Sequence, residues 1–244
     1  HVADADFCRW SQTLIDGAGN FGQQQALFDA TDSANDEINA AIDVTTAAPE
    51  QAGKPHAIAV MLGQEAPLEI EAIRSNIKIV IGGGINEPRD AMLTAIFGLL
   101  SNPDQKQAVL DGATPWLDVF EESIRWVAPI QLSSRRAVED TQIRDHDIRA
   151  GDVVMTIQAA ANHDEEVIEN GHLFDVRRAR APHQAFGNGP HFCLGTHVAR
   201  KMVADIILPR LFDRFPEMSL DTEQQVTFRG FGFRGPVSLP VRLN

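Results

Sequence analysis

The sequence predicts a mainly α-helical protein with small β-sheets. Apolar residues recur at helical spacing through the first half. Short stretches punctuated by Gly and Pro follow residue 130, and one more helical stretch precedes a strand-like tail. The 244 residues are 43% hydrophobic, enough to bury a substantial core, and residues 1–244 read as a single domain.

Residues 4–30 read as helix broken by Gly17 and Gly19, and residues 33–46 as a second helix. Residues 51–55 read as a linker, and a short helix follows to Gly63. The longest pattern covers 67–100, with Ile70, Ile73, Ile77, Val80 and Ile81, then Met92, Ile96, Leu99 and Leu100 at helical spacing. Asn102-Pro103 ends it. A further helix spans 116–126 and stops before Pro129. Residues 130–159 change to short strands with turns, 170–192 are irregular, and 194–215 form the last long helix. The tail reads as strands around the glycine-rich turn 230–235.

A net charge of −13 argues against general nucleic-acid binding, which needs a basic surface. No apolar run approaches the roughly 20 residues of a membrane span, and there is no signal-peptide pattern. The two cysteines form no CxxC pair, which disfavours a disulfide framework or a zinc site, and a reducing, cytoplasmic setting is expected. Cys8, beside Phe7 and Trp10, reads as a buried small hydrophobe. Charge is uneven: residues 171–214 hold seven Arg/Lys against three Asp, so this segment is +4 and the rest −17. That basic segment surrounds Cys193, where an anionic ligand or an acidic partner fits as well as a solvated face does.

The loop from Ala185 to Gly195 combines what a metal–thiolate site needs. Gly187 and Gly189 permit a tight turn under a flat ligand, and Gly195 removes a side chain where something approaches closely. Cys193 is placed at a helix start, where N–H groups and the helix dipole favour the thiolate. On these residues alone a metal ligand and a plain free cysteine are equally good readings.

The run Phe186 to Gly195, continued by Ala199-Arg200, resembles the cytochrome P450 haem-loop signature F-G-x-G-x-H-x-C-x-G-x-x-x-A-R at every fixed position. The resemblance implies haem b with Cys193 as the proximal iron ligand, His191 helping to bind a propionate, and Phe186 packed near the sulfur. Glu122-Ser123-Ile124-Arg125 is similar to the family's E-x-x-R pair, which would otherwise read as a surface salt bridge. Arg178, in Phe174-Asp175-Val176-Arg177-Arg178, is its implied third member. Arg135, with Arg136 as the alternative, resembles the family's propionate-binding arginine. Residues 159–164 (AAANHD) resemble A-A-N-R-D, with His163 in place of arginine. His183 reads either as a propionate contact or as a solvated histidine. The fold implied is that of the family without its N-terminal portion, a third or more of the usual chain.

The long helix contains Ile81-Gly82-Gly83-Gly84-Ile85-Asn86-Glu87-Pro88-Arg89-Asp90. Most family members carry A/G-G-x-D/E-T here, an acid–alcohol pair that delivers protons. The match puts Asn86 at the acid position and Glu87 at the threonine position, so the hydroxyl is missing. Pro88 cannot donate to the carbonyl of Gly84 and so kinks or opens the helix. That reads either as a plain kink or as room for oxygen and water, with Glu87 as proton carrier and Gly84 and Asn86 beside it.

The string from Gly83 to Asp90 resembles that of bacterial aromatic O-demethylases of the same family, which oxidise methoxy groups of lignin-derived phenols. Phe7, Ile79, Gly83, Ser133 and Phe233 are then candidate pocket residues, core packing being the other reading for Phe7. The resemblance implies a monooxygenase fed by a ferredoxin or a flavin/iron–sulfur reductase, acting on a small aromatic or other apolar substrate. The alternatives are a truncated haem-binding fragment without turnover, or a peroxide-driven hydroxylase of fatty acids or terpenes.

Overall fold

The computed structural model describes residues 2–48 and 56–243, and is mainly helical with four two-stranded antiparallel sheets among those residues. The described chain groups into two compact units, residues 1–86 and 87–244. The linker expected over 51–55 lies outside the described residues.

The first unit holds α1 (Asp4–Ala18), α2 (Gln25–Ala47), α3 (Ala57–Leu62) and the first part of α4 (Ile70–Ser101). Its core is Trp10, Ala34, Ile38, Ile42, Ile58, Ile73 and Ile81. The Trp10 indole N–H donates to Glu37 at 2.8 Å, satisfying its one polar atom at the edge of that core. Gly17 allows α1 to approach α2, because a Cβ there would sit 2.1 Å from Thr31 Oγ1. Two expectations change. The second helix begins at Gln25 rather than residue 33, because no Gly or Pro interrupts 25–47. Cys8 is exposed rather than buried: α1 buries Trp10 and Ser11, and Cys8 lies about 200° around the helix from Trp10.

The second unit starts within α4, at Glu87, and adds α5 (Pro103–Leu110) and α6 (Trp116–Trp126). Asn102-Pro103 closes α4 as expected and also opens α5, which the sequence reading omitted; Pro103 stands at a first-turn position where its missing N–H costs nothing. Two sheets follow: β1 (Ser133–Arg136) pairs with β4 (Val153–Thr156), and β2 (Thr141–Ile143) with β3 (His146–Ile148). The one-turn helix α7 (Gln158–Ala161) comes next.

The helix expected over 194–215 begins at Thr196 and has three parts: α8 (Thr196–Met202), a π turn (Val203–Ile207) and α9 (Leu208–Arg214). Pro209 explains the break, since it cannot donate to the carbonyl of Asp205 and the wider register accommodates the loss. In the tail, β5 (Ser219–Leu220) pairs with β8 (Val241–Arg242), and β6 (Thr227–Arg229) with β7 (Gly235–Ser238). Leu99, Val119, Phe120, Ile124, Val203, Leu208 and Phe212 centre the core of this unit, tying α4, α6, α8–α9 and the π turn together. Phe174 packs flat against Gly98, where a Cβ would meet its ring at 2.6 Å. Gln105 holds the flanking backbone, donating to Phe174 O at 3.0 Å and accepting from Val176 N at 2.8 Å.

Candidate functional site

The cysteine loop is built by backbone geometry. Gly187 and Gly189 adopt φ of 66° and 65°, the left-handed region that disfavours every side chain with a Cβ. These two turns bring the chain back on itself, so that Cys193 N–H donates to Phe186 O at 2.9 Å. Thr196 locks the exit, its hydroxyl donating to Cys193 O at 2.7 Å. Cys193 therefore stands two residues before the Gly195 cap of α8, rather than directly before a helix beginning at residue 194. Its thiol is free and half-buried. A Cβ on Gly195 would lie 3.8 Å from the sulfur, so glycine leaves that flank of Sγ open. Around it Phe192 is 53% exposed and Leu194 90% exposed. A soft thiol donor beside uncovered apolar side chains, on a loop kept thin by glycine, fits a flat apolar macrocycle with a thiolate-ligated metal.

Two carboxylates of α6 tie this loop to the core. Glu122 and Arg125, at 5% and 3% side-chain exposure, form a bidentate pair with both hydrogen bonds at 2.7 Å. The three remaining guanidinium protons of Arg125 go to the carbonyls of Asn162 (2.9 Å), Gly171 (2.6 Å) and Leu173 (2.9 Å). All five donors are satisfied, the condition under which a buried ion pair is tolerated. Arg178 Nε lies 3.5 Å from Glu122 Oε1 as an ion pair, and its other nitrogens donate to the carbonyls of Glu169 and Asn170.

The neighbouring Glu121 faces a different group. It accepts from Arg200 at 2.6 and 3.1 Å and pairs with His183 Nε2 at 3.0 Å. Burial alone would raise its pKa, but the hydrogen bonds from His183 and Arg200 outweigh it and hold the carboxyl at about 2. His183 Nδ1 accepts from Ala185 N at 3.2 Å, so both ring nitrogens are engaged within the protein. The solvated reading of His183 is corrected: its side chain is only 10% exposed. His191 is exposed at the mouth of the loop. Asn162 is fully buried, and its Oδ1 accepts from Gln184 N at 2.6 Å, joining the 159–164 stretch to the loop.

Arg135 and Arg136 point to opposite faces of β1, as neighbours on a strand must. Arg136 is committed to Gly151 O at 2.7 Å, whereas among the described residues Arg135 donates to the adjacent Ser134 O at 2.8 Å. In α4, Asn86 is buried and donates to Ser11 Oγ at 3.1 Å, and Ser11 donates to Gly82 O at 3.1 Å. The amide thus ties helices of the first unit together, which leaves Glu87 and Asp90 as the acids of this stretch, Asp90 paired with Arg89 at 2.8 Å. Apart from the adjoining residues and the backbone of the helix itself, no atom of the described residues lies within 4 Å of a Cβ placed on Gly83 or Gly84. Burial pushes the Glu87 carboxyl up to about 7, with the nearby Asp90 adding to the rise, and Oε2 is buried without a hydrogen-bond partner.

The candidate pocket residues divide between the units. In the first, Phe7 packs edge-on to Trp10 at 5.7 Å and Ile79 is 72% exposed. In the second, Ser133 shares its hydroxyl with Thr156 and Gln158, and Phe233 bridges Ile130 beyond the turn at Gly230. Ser11 and Glu121 were absent from the residues singled out by sequence, whereas Asn162 lay in the AAANHD stretch. Glu121 had a signal, the Glu-Glu doublet, because adjacent helical positions cannot serve one partner.

Among known proteins, the cytochrome P450 family model matches residues 117–233. Cytochrome P450-terp of Pseudomonas sp is 34% identical over 148 residues, 61% of this chain and 34% of that protein. The 6-deoxyerythronolide B hydroxylase of Saccharopolyspora erythraea is 28% identical over 98% of this chain and 59% of its own length. The crystal structure of P450BioI in complex with hexadec-9Z-enoic acid ligated acyl carrier protein matches with a TM-score of 0.88 and 27% identity, covering 100% of this chain and 63% of that one. The chain therefore spans less than two thirds of each of these relatives.

Proposed function

The chain belongs to the cytochrome P450 family, and from that premise we propose that it is the haem-binding part of a haem–thiolate monooxygenase with Cys193 as the iron ligand. The observation that carries the reading is the loop itself: two left-handed glycines and the Phe186–Cys193 hydrogen bond present a free thiol between exposed Phe192 and Leu194. Cys193 supplies the ligand, and His191 and Arg135 offer cationic or donor groups to the propionates. His183 has both nitrogens engaged and supports the loop from behind. Haem b, when bound, supplies activation of dioxygen with two electrons from a ferredoxin or a flavin/iron–sulfur reductase.

This chain's own contribution to proton supply is Glu87. A carboxyl with a pKa of about 7 is both a competent acid and a competent base near neutrality, the property a proton carrier needs. Pro88 removes one backbone donor next to it, and Gly83 and Gly84 keep that face of α4 free of side chains.

The finer reading is O-demethylation of a methoxyaromatic substrate, supported by the resemblance of the Gly83–Asp90 string. The balanced change is Ar–O–CH3 + O2 + 2 e− + 2 H+ giving Ar–OH, formaldehyde and water. Within the second unit, Ser133 and Phe233 are the proposed lining.

The decisive experiment is the spectrum of the reduced, CO-bound protein after haem is added. A strongly red-shifted Soret band supports Cys193 ligation; its absence sinks it. Methoxyphenols, fatty acids and terpenes added in parallel then test substrate: a spin-state shift and formaldehyde release with methoxyphenols alone support demethylation. A response to fatty acids or terpenes alone overturns it. One observation favours another reading: the missing acid–alcohol hydroxyl favours a peroxide-driven reaction, which would show as turnover with peroxide but not with a reductase.

A further inference from the structure

Phe186 sits in a box. Its ring centroid is 6.1 Å from His183, 6.3 Å from Phe120 and 6.5 Å from Phe192, and the Arg200 guanidinium carbon lies 5.2 Å over its face. Its carbonyl receives the Cys193 N–H. The two charged or polar walls, His183 and Arg200, are themselves held by one side chain, Glu121 of α6. Three segments therefore meet at a single carboxylate: α6, the irregular approach to the loop that carries His183, and α8 beyond it.

We propose that Glu121 is a positioning residue for the proximal cysteine, acting through Arg200 and His183 on Phe186 and through Phe186 O on the Cys193 backbone. This rests on the haem–thiolate reading above. An exposed Glu–Arg pair would contribute little. Here the Glu121 side chain is 14% exposed, and Arg200 does two things at once, pairing with the carboxylate and stacking on Phe186. Removing the carboxylate frees both walls of the box, and the turn that aims the sulfur loses its backing. Protection of Cys193 as a thiolate then fails before the fold does, because Glu122 keeps its own pairs with Arg125 and Arg178, and Phe120 and Phe212 stay buried in the core, without Glu121.

The test uses the full chain with haem added, as wild type and as Glu121→Gln, Glu121→Ala and Arg200→Lys. The readouts are the reduced CO spectrum, the rate of haem transfer to a scavenging globin, and far-UV circular dichroism. Glu121→Ala is expected to lose most of the red-shifted Soret band and to release haem about tenfold faster, the effect typical of losing a residue that orients a metal ligand. Glu121→Gln and Arg200→Lys fall between, since the first retains an acceptor and the second a charge without a planar face. Helical content stays at the wild-type level. Glu121→Ala with the wild-type band and a haem-loss rate unchanged within about twofold overturns the proposal and leaves Glu121 a core link. Should that variant not fold, wild-type spectra and rates for both Glu121→Gln and Arg200→Lys overturn it equally. A wild-type chain with no red-shifted band refutes the haem–thiolate reading itself, a different failure from a variant that matches a normal wild type.

Discussion

The backbone N–H of Cys193 donates to the carbonyl of Phe186 across seven residues, at 2.9 Å. That bond closes the loop and takes the cysteine's own N–H away from its sulfur. A backbone donor to a thiolate here must come from a residue other than Cys193.

The closure depends on two left-handed turns. Gly187→Ala and Gly189→Ala each place a Cβ where it costs about 1–2 kcal/mol. Both variants are expected to bind haem more weakly than wild type, measured by haem titration, with unchanged helical content. Gly195→Ala, at φ −79°, carries no such backbone strain, so weakened haem binding there would report crowding beside the sulfur.

Glu122→Ala strands Arg125 in the core with no carboxylate. The expected loss is about 3–5 kcal/mol of unfolding free energy, measured by urea denaturation. Arg178→Ala is milder, because its ion pair is longer and its side chain more exposed than that of Arg125. Equal effects of the two variants would contradict this ranking.

Glu87 ties stability to pH. Its folded pKa lies above the ordinary value, 4.5 raised to about 7, so the folded state binds the proton more tightly than the unfolded chain does. The linkage makes stability highest below about pH 4.5 and lowers it as pH rises to about 7, by on the order of 3 kcal/mol in total. Glu87→Gln removes this component. The variant gains stability over wild type at pH 8 and loses that advantage at pH 5, as thermal unfolding at the two pH values would show. In a loaded enzyme the same variant lowers proton-dependent turnover while leaving the CO spectrum unchanged.

Gly230 has φ 102°, and a Cβ there would lie 1.6 Å from Phe233 O. Gly230→Ala must distort the turn that presents Phe233. Its expected signature is a larger effect on the substrate-induced spin shift than on haem binding; the reverse order would remove Phe233 from the pocket.

Much of this was legible in the sequence because the elements obey local rules. The helix over 116–126 is bounded by Pro115 and the approach to Pro129, and its span matches the structure. The cysteine loop was legible because glycine is needed where φ is positive. What escaped reading was set by tertiary partners. The π turn depends on how one missing donor at Pro209 is absorbed. The engagement of Asn86 with Ser11 depends on a helix 75 residues away in sequence. Cys8 looked buried among aromatics because composition does not reveal which face of α1 is covered.

Neighbouring residues on an α-helix point about 100° apart, so Glu121 and Glu122 serve two unrelated clusters from one short rod. A single inserted or deleted residue upstream in α6 would turn both carboxylates away together. A length change in this helix therefore disturbs both clusters at once, whereas a side-chain substitution can alter either one alone.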